Sequence, residues 1–167
     1  HPVYPFTDGV SDAESARVAD GQHNRWFLQP ALRGSYPADM LELYAAKGVA
    51  PRIEPGDREL LAGTRSDFLG VNYYSPQRVV ASQKNPVLGY ETRVPQGCPK
   101  TAMGWEINAP ALHDLLTRLA RDWGNPVMMI TENGAAFADE GTGAGQVADH
   151  DRIDYLRGHL AEARRAI

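Results

Sequence analysis

Pro126-Val127-Met128-Met129-Ile130-Thr131-Glu132-Asn133-Gly134 passes from an unbroken apolar, β-prone run to a carboxylate and a turn pair. A short apolar run bounded by proline and glycine reads as a strand buried on both faces, as parallel strands are. Just upstream, Leu112, Leu115, Leu116 and Leu119 recur at i, i+3, i+4 and i+7, so a helix is predicted that Asn108 can cap and Gly124 closes. Before that helix, Asp67-Phe68-Leu69-Gly70-Val71-Asn72-Tyr73-Tyr74 is a second short, aromatic-rich run read as a strand buried on both faces. The stretch from Ser75 to Gly104, with its prolines and glycines and no sustained period, reads as a long irregular loop with room for a hairpin.

Working outward, Ser11-Asp12-Ala13-Glu14 has the form of a capping box and predicts a helix running into Ala16, Val18 and Ala19. After a loop through Gln29-Pro30, Pro37 opens a second helix with Met40, Leu41 and Tyr44 on one face and Gly48 as its stop. Beyond Glu132 the chain loosens through Gly141, Gly143 and Gly145, and Asp149 or Asp151 starts a final helix with Ile153, Leu156 and Leu160 inward. Buried strands alternating with helices imply βαβ units and a parallel sheet. Two strands, or three if Pro2-Val3-Tyr4 ends another, leave long unpaired edges, so such a sheet calls for neighbours. The opening His1-Pro2-Val3-Tyr4-Pro5 reads as mid-protein sequence rather than a signal peptide, and the last residues stop inside a helical pattern without a cap.

Composition excludes several function classes. The 167 residues are 43% hydrophobic with a net charge of -4, and no basic run offers a footprint for nucleic acid or an anionic membrane. No apolar run is long enough to span a bilayer, and the single Cys98 cannot form an internal disulfide. His1, His23, His113, His150 and His159 are scattered without companion ligands, so neither a metal nor any cofactor is expected.

Polar side chains appear only at the C-terminal ends of the two strands. Alternation puts Met128, Ile130 and Glu132 on one face, and Phe68, Gly70, Asn72 and Tyr74 on one face of the other strand. Glu132, Asn72 and Tyr74 would then point into one pocket. Pattern alone favours the plainer reading, with Glu132 as a loop-start residue in an Asn-Gly turn, Asn72 and Tyr74 as strand-end groups, and Trp105 and Glu106 as a seal on the loop.

Four stretches, in order and spanning essentially the whole chain, bring these residues together. Ile130-Thr131-Glu132-Asn133-Gly134 closely resembles the nucleophile signature of glycoside hydrolase family 1, the β-glucosidases and relatives. Asp67 to Tyr74 looks like that family's sixth strand, and Met103-Gly104-Trp105-Glu106-Ile107 like its aglycone-loop motif. Asn24-Arg25-Trp26-Phe27-Leu28 with Arg33-Gly34-Ser35-Tyr36-Pro37 is similar to the segment after its fifth strand, where Arg25 and Trp26 read as scaffold.

The resemblance implies an α/β fold: residues 1–167 as a fragment of one (β/α)8 TIM-barrel catalytic domain, from about the end of strand 5 through helix 7. Strand 6 would lie near 67–74, the aglycone loop over 75–108 and strand 7 near 127–132. It implies a retaining β-glycosidase hydrolysing terminal β-D-glycosides through a covalent glycosyl-enzyme. Glu132 would be the nucleophile; Tyr74 would orient it and favour its ionised form; Asn72 would join the polar network beside the sugar; Trp105 would offer its face to the substrate's aglycone. The partners implied are a β-glycoside or oligosaccharide and the remaining segments of the same barrel, in the cytoplasm. The mechanism also needs a second carboxylate about 5 Å from the nucleophile. In this family it lies in a Thr-Phe-Asn-Glu-Pro-like motif, and no such string occurs here, so the isolated chain is expected to be inactive. A 6-phospho-β-glycosidase and a non-catalytic carbohydrate-binding member are the other readings.

Overall fold

A computed structural model describes residues 1–138 and 148–167. In chain order its elements are β1 (Val3–Pro5), α1 (Val10–Asp20), a π-helical turn (Gly21–Arg25), α2 (Trp26–Arg33), α3 (Ala38–Ala46) and α4 (Asp57–Gly63). There follow β2 (Leu69–Tyr73), β3 (Gln77–Ala81), β4 (Tyr90–Thr92), α5 (Pro110–Asp122), β5 (Met128–Asn133) and α6 (His150–Arg165). The glycines Gly141, Gly143 and Gly145, read as a loop, lie outside the described residues. The chain divides into two compact units, one of residues 1, 3–67 and 77–93, the other of residues 2, 68–76 and 94–167.

In the first unit, α1 buries Ala16, Val18 and Ala19 against Val79 of β3 and Tyr90 of β4, with Val3, Leu43 and Leu88 at the margin. The helix does not begin with the expected capping box. It starts at Val10 behind Gly9, and no side chain caps it. Glu14 is drawn instead to Arg17, which donates to it through Nε at 3.0 Å and Nη2 at 2.7 Å. Asp12 turns away from the helix and accepts from the backbone N–H and hydroxyl of Thr7, at 3.1 and 2.7 Å, and from the N–H of Ala81 at 2.9 Å. Those donors, that of Ala81 first, hold its carboxyl below the usual range.

The stretch read as a loop through Gln29-Pro30 is helical, because α1 continues through the wide π turn into α2, with Pro30 inside it. Proline costs that turn one hydrogen bond without stopping it. The helix ends at Gly34, whose φ of 66° is a left-handed conformation suited to glycine. Arg25, on the π turn, clamps Asp39 of α3 with both terminal nitrogens at 2.8 Å and reaches Asp20 through Nε at 3.1 Å. Trp26 packs on Tyr36 and Tyr44, with ring centroids 5.2 and 5.1 Å away. The helix expected after Pro37 is present as α3, and α4 is a further short helix beyond those the sequence predicts. Half of the expected irregular stretch is a hairpin of β3 and β4, and β1 pairs in parallel with β3 rather than joining β2. The hairpin falls in the stretch where room for one was expected, and its first strand supplies the ladder for the first extended residues.

The second unit is built on β2 and β5, a parallel pair with α5 and α6 on one side. The leucines of α5 bury as their period requires: Leu112, Leu115, Leu116 and Leu119 are all in the core. Asn108 caps the helix by accepting from the N–H of Ala111 at 3.2 Å, and Gly124 closes it with a φ of 78°. Two expectations fail. The strands are not buried on both faces: Val71 and Tyr73 are buried, but Gly70 and Asn72 are exposed. On α6 the inward residues are Tyr155 and His159, while Ile153, Leu156 and Leu160 are exposed. Hydrophobic spacing located the apolar stripe, but the aromatic rings one step around the helix make the contact. The His159 ring stacks on Tyr155 at a 3.8 Å centroid distance and lies 5.6 Å from Tyr73.

Among the described residues, no helix is long and apolar enough to cross a membrane.

Candidate active site

Glu132 and Tyr74 meet at the C-terminal ends of adjacent strands, where the Tyr74 hydroxyl donates to Glu132 Oε2 at 2.6 Å. The carboxylate that accepts this bond is the main cause, ahead of burial and the charge of Glu132, of a phenol pKa pushed above its ordinary value. A phenolate beside a carboxylate would place like charges together, so Tyr74 stays a donor.

The way Glu132 reaches this face differs from simple alternation. Leu69, Gly70 and Val71 pair with Met128, Met129 and Ile130, but Asn72 pairs with Glu132, leaving Thr131 as an extra residue. This is a β-bulge, which re-aims the side chains that follow it. Before the bulge, Met128 and Ile130 line a groove with Leu116 and Ala120 of α5 and Ala163 of α6, on the helix side. Thr131 lies on the open face: a Cβ added to Gly70 would stand 3.3 Å from its hydroxyl. Glu132 therefore does not share the face of Met128 and Ile130. At the bulge Thr131 and Glu132 both fall on the open side, with Glu132 opposite Asn72 and within reach of Tyr74.

Thr131 has its own partner there. Its hydroxyl donates to Asn72 Oδ1 at 2.6 Å, so the amide oxygen is occupied and the NH2 group of Asn72 is left to donate. Asn133, after the bulge, points back toward the helices. Its Nδ2 donates to the Tyr73 carbonyl at 2.8 Å and to the Tyr155 hydroxyl at 3.3 Å.

Trp105 joins this group from the loop before α5. Its ring lies 5.9 Å from that of Tyr74 at 64°, and the residue is 39% exposed. A tight turn holds it. The Thr101 N–H donates to the Trp105 carbonyl at 2.9 Å, and the Trp105 N–H to the Thr101 hydroxyl at 3.3 Å. Gly104, with a φ of 77°, makes a turn that a side chain would strain. The N–H of Ala102 donates to the Ala136 carbonyl at 2.8 Å, tying this loop to the segment beyond Gly134. Beneath it, Glu106 is buried and accepts from Asn108 Nδ2 at 2.8 Å.

All the residues singled out from the sequence, Glu132, Tyr74, Asn72 and Trp105, thus fall in one cluster. Thr131, Asn133 and Tyr155 were missed. The bulge that gives Thr131 its role has no signature in a β-prone run, whereas Tyr155 sits four residues before His159, a helical spacing that could have marked a shared face. Among the described residues there is no group of three or more His, Cys, Asp or Glu that could hold a metal ion.

The family described as glycosyl hydrolase family 1 matches residues 1–167. The chain is 37% identical to β-glucosidase A of Acetivibrio thermocellus over 166 residues, 98% of this chain and 37% of that protein. It is 32% identical to a 6-phospho-β-glucosidase of Bacillus subtilis, over 99% of this chain and 38% of the relative. Among solved structures, the GH1 β-glucosidase of Exiguobacterium antarcticum B7 superimposes with a TM-score of 0.88 at 37% identity, over 98% of this chain and 36% of that one. The chain therefore spans a little over a third of the length of the relatives it matches.

Proposed function

Because the chain belongs to glycosyl hydrolase family 1, we propose that it is the part of a retaining β-glycosidase that carries the nucleophile, Glu132. In this reading β2 and β5 are the sixth and seventh strands of a (β/α)8 barrel, and their open face is the wall of the sugar cavity. The observation that carries it is the 2.6 Å hydrogen bond from Tyr74 to Glu132, at strand ends where such barrels assemble their chemistry.

The Glu132 carboxylate attacks the anomeric carbon, forming a C–O ester bond as the glycosidic bond breaks. The leaving oxygen takes its proton from a second carboxylic acid, for which no Thr-Phe-Asn-Glu-Pro-like motif occurs in this sequence. Water, deprotonated by that same group, then releases the sugar with net retention. Tyr74 keeps the attacking oxygen in place. Asn72, with its amide oxygen held by Thr131, turns its NH2 group toward the sugar hydroxyl nearest the reacting centre. Trp105 offers an indole face on which sugar C–H groups and apolar leaving groups pack. The substrate class is a terminal β-D-glycoside, and the working site requires the remaining segments of the barrel.

Treating the full-length polypeptide with a 2-deoxy-2-fluoro β-glucoside and mapping the label by peptide mass spectrometry tests this. The label is expected on Glu132; a full-length protein that turns over β-glucosides while taking the label elsewhere would sink the assignment. The 6-phospho-β-glucosidase relative supports a second substrate reading, a glycoside phosphorylated at its 6-hydroxyl. Rates on matched aryl glucosides with and without the phosphate separate the two.

A further inference from the structure

Behind the Tyr74 and Glu132 pair, on the helix side of β2 and β5, lies a hydroxyl that no step of the proposed reaction uses. Tyr155 of α6 is 4% exposed. Its hydroxyl donates to the Tyr74 carbonyl at 3.1 Å and accepts from Asn133 Nδ2 at 3.3 Å. The same Asn133 nitrogen donates to the Tyr73 carbonyl at 2.8 Å. One phenol thus joins the backbone of Tyr74 to the side chain of the residue after Glu132.

Its own position is fixed. The His159 ring stacks on it, and His159 Nδ1 bonds the Tyr155 carbonyl at 2.7 Å. One turn earlier, Arg152 Nε donates to the Ala135 carbonyl at 3.1 Å, so α6 also holds the segment that leaves β5. Burial pushes the Tyr155 phenol above its ordinary range, and the bond it donates to the Tyr74 carbonyl requires that proton. Hydrogen bonds spanning two strand ends restrict their relative movement, and a short contact between the next side chains depends on that movement being small.

We propose that Tyr155 is a positioning residue for the nucleophile, setting the distance from the Tyr74 hydroxyl to the Glu132 carboxylate by fixing both strand ends from the helix layer. The inference rests on the reading of Glu132 as nucleophile. Its counterpart is plain packing, in which the ring matters and the hydroxyl does not.

Tyr155→Phe separates these, because it keeps the ring on His159 and removes only the hydroxyl. In the full-length polypeptide, the rate of 2-fluoro glucoside labelling at Glu132 is expected to fall about tenfold, the scale of one lost hydrogen bond. In a Tyr74→Phe background the same change is expected to cost less than about twofold, since the contact it positions is already gone. Asn133→Ala, which leaves the Tyr155 and His159 stack intact, is expected to slow labelling in the same coupled way and serves if Tyr155→Phe lowers the melting midpoint substantially. Labelling by either variant within about twofold of the parent, or equal losses in both backgrounds, would overturn the proposal. A parent that takes no label at Glu132 overturns the nucleophile reading itself, and the positioning role with it.

Discussion

Tyr74 gives up its only hydroxyl to Glu132, and a phenol donating to a carboxylate is a charge-assisted bond. Tyr74→Phe in the full-length polypeptide is therefore expected to lower kcat/KM on an aryl β-glucoside by roughly 10- to 100-fold. On the proposed reading the hydroxyl acts through the attacking carboxylate rather than on substrate docking, so the loss is expected in kcat, which steady-state kinetics will resolve from KM. Thr131 makes a weaker, neutral bond, to Asn72 Oδ1. Thr131→Val frees that amide to rotate, and a loss of about 3- to 10-fold in kcat/KM is expected, smaller for a substrate lacking the 2-hydroxyl. Equal losses on both substrates would remove Asn72 from the sugar's reach. At this scale the sequence was most informative where chemistry demands a particular side chain. Glu132, Tyr74 and Asn72 stood out as polar groups at strand ends, and their roles, with that of the loop residue Trp105, came from the family resemblance, while Thr131 and Asn133 acquire their partners only through a register shift no single strand encodes.

The elements owe their stability to different residues than periodicity alone suggests. In α5 the spacing of the leucines and their burial agree, and Leu112 is 1% exposed. Leu112→Ala leaves a cavity among packed neighbours and is expected to cost about 2–5 kcal/mol, measurable by urea unfolding. In α6 the apolar stripe and the buried face diverge, and His159 takes a core position at 1% exposure with its Nε2 unpartnered among the described residues. Burial outweighs the bond to the Tyr155 carbonyl and the charge of Glu162, so its pKa lies below the usual 6.5. The unfolded chain then binds the proton more readily than the folded one, and stability rises with pH across that window. Unfolding midpoints are expected to be full above about pH 6.5 and to decline as pH falls toward the depressed folded value. His159→Gln, measured beside the parent, is expected to flatten that decline; an unchanged slope would show that other groups carry it. The capping box failed for a related reason. Glu14 had a stronger partner in Arg17, one turn away, than in a backbone N–H.

For the molecule as a whole, the relevant quantity is what two strands can hold alone. A two-stranded sheet is marginal by itself, and β2 and β5 leave Gly70, Asn72, Met129 and Thr131 open on one face. A site completed by other strands would lack its proton donor here. The 167-residue chain, assayed alone, is expected to show no β-glucoside turnover above background, and recovery on mixing with the complementary segments would follow from the same reading. Strong turnover by the chain alone would refute it. Family membership was legible from four motifs in order, and the α/β character from the alternation of helix and strand. The pairing of β1 with β3 was not, because a ladder formed by a three-residue strand depends on which neighbour the fold brings within reach.

The extra residue at Thr131 has one more implication. Were it deleted, ordinary alternation would still deliver the carboxylate to the cavity side, across from Asn72 and beside Tyr74. What would vanish is the hydroxyl that orients the amide. The inserted position therefore gives the strand a second polar side chain where the pleat has space for one, and a one-residue deletion variant should keep an acid at the strand end while its neighbour swings unguided.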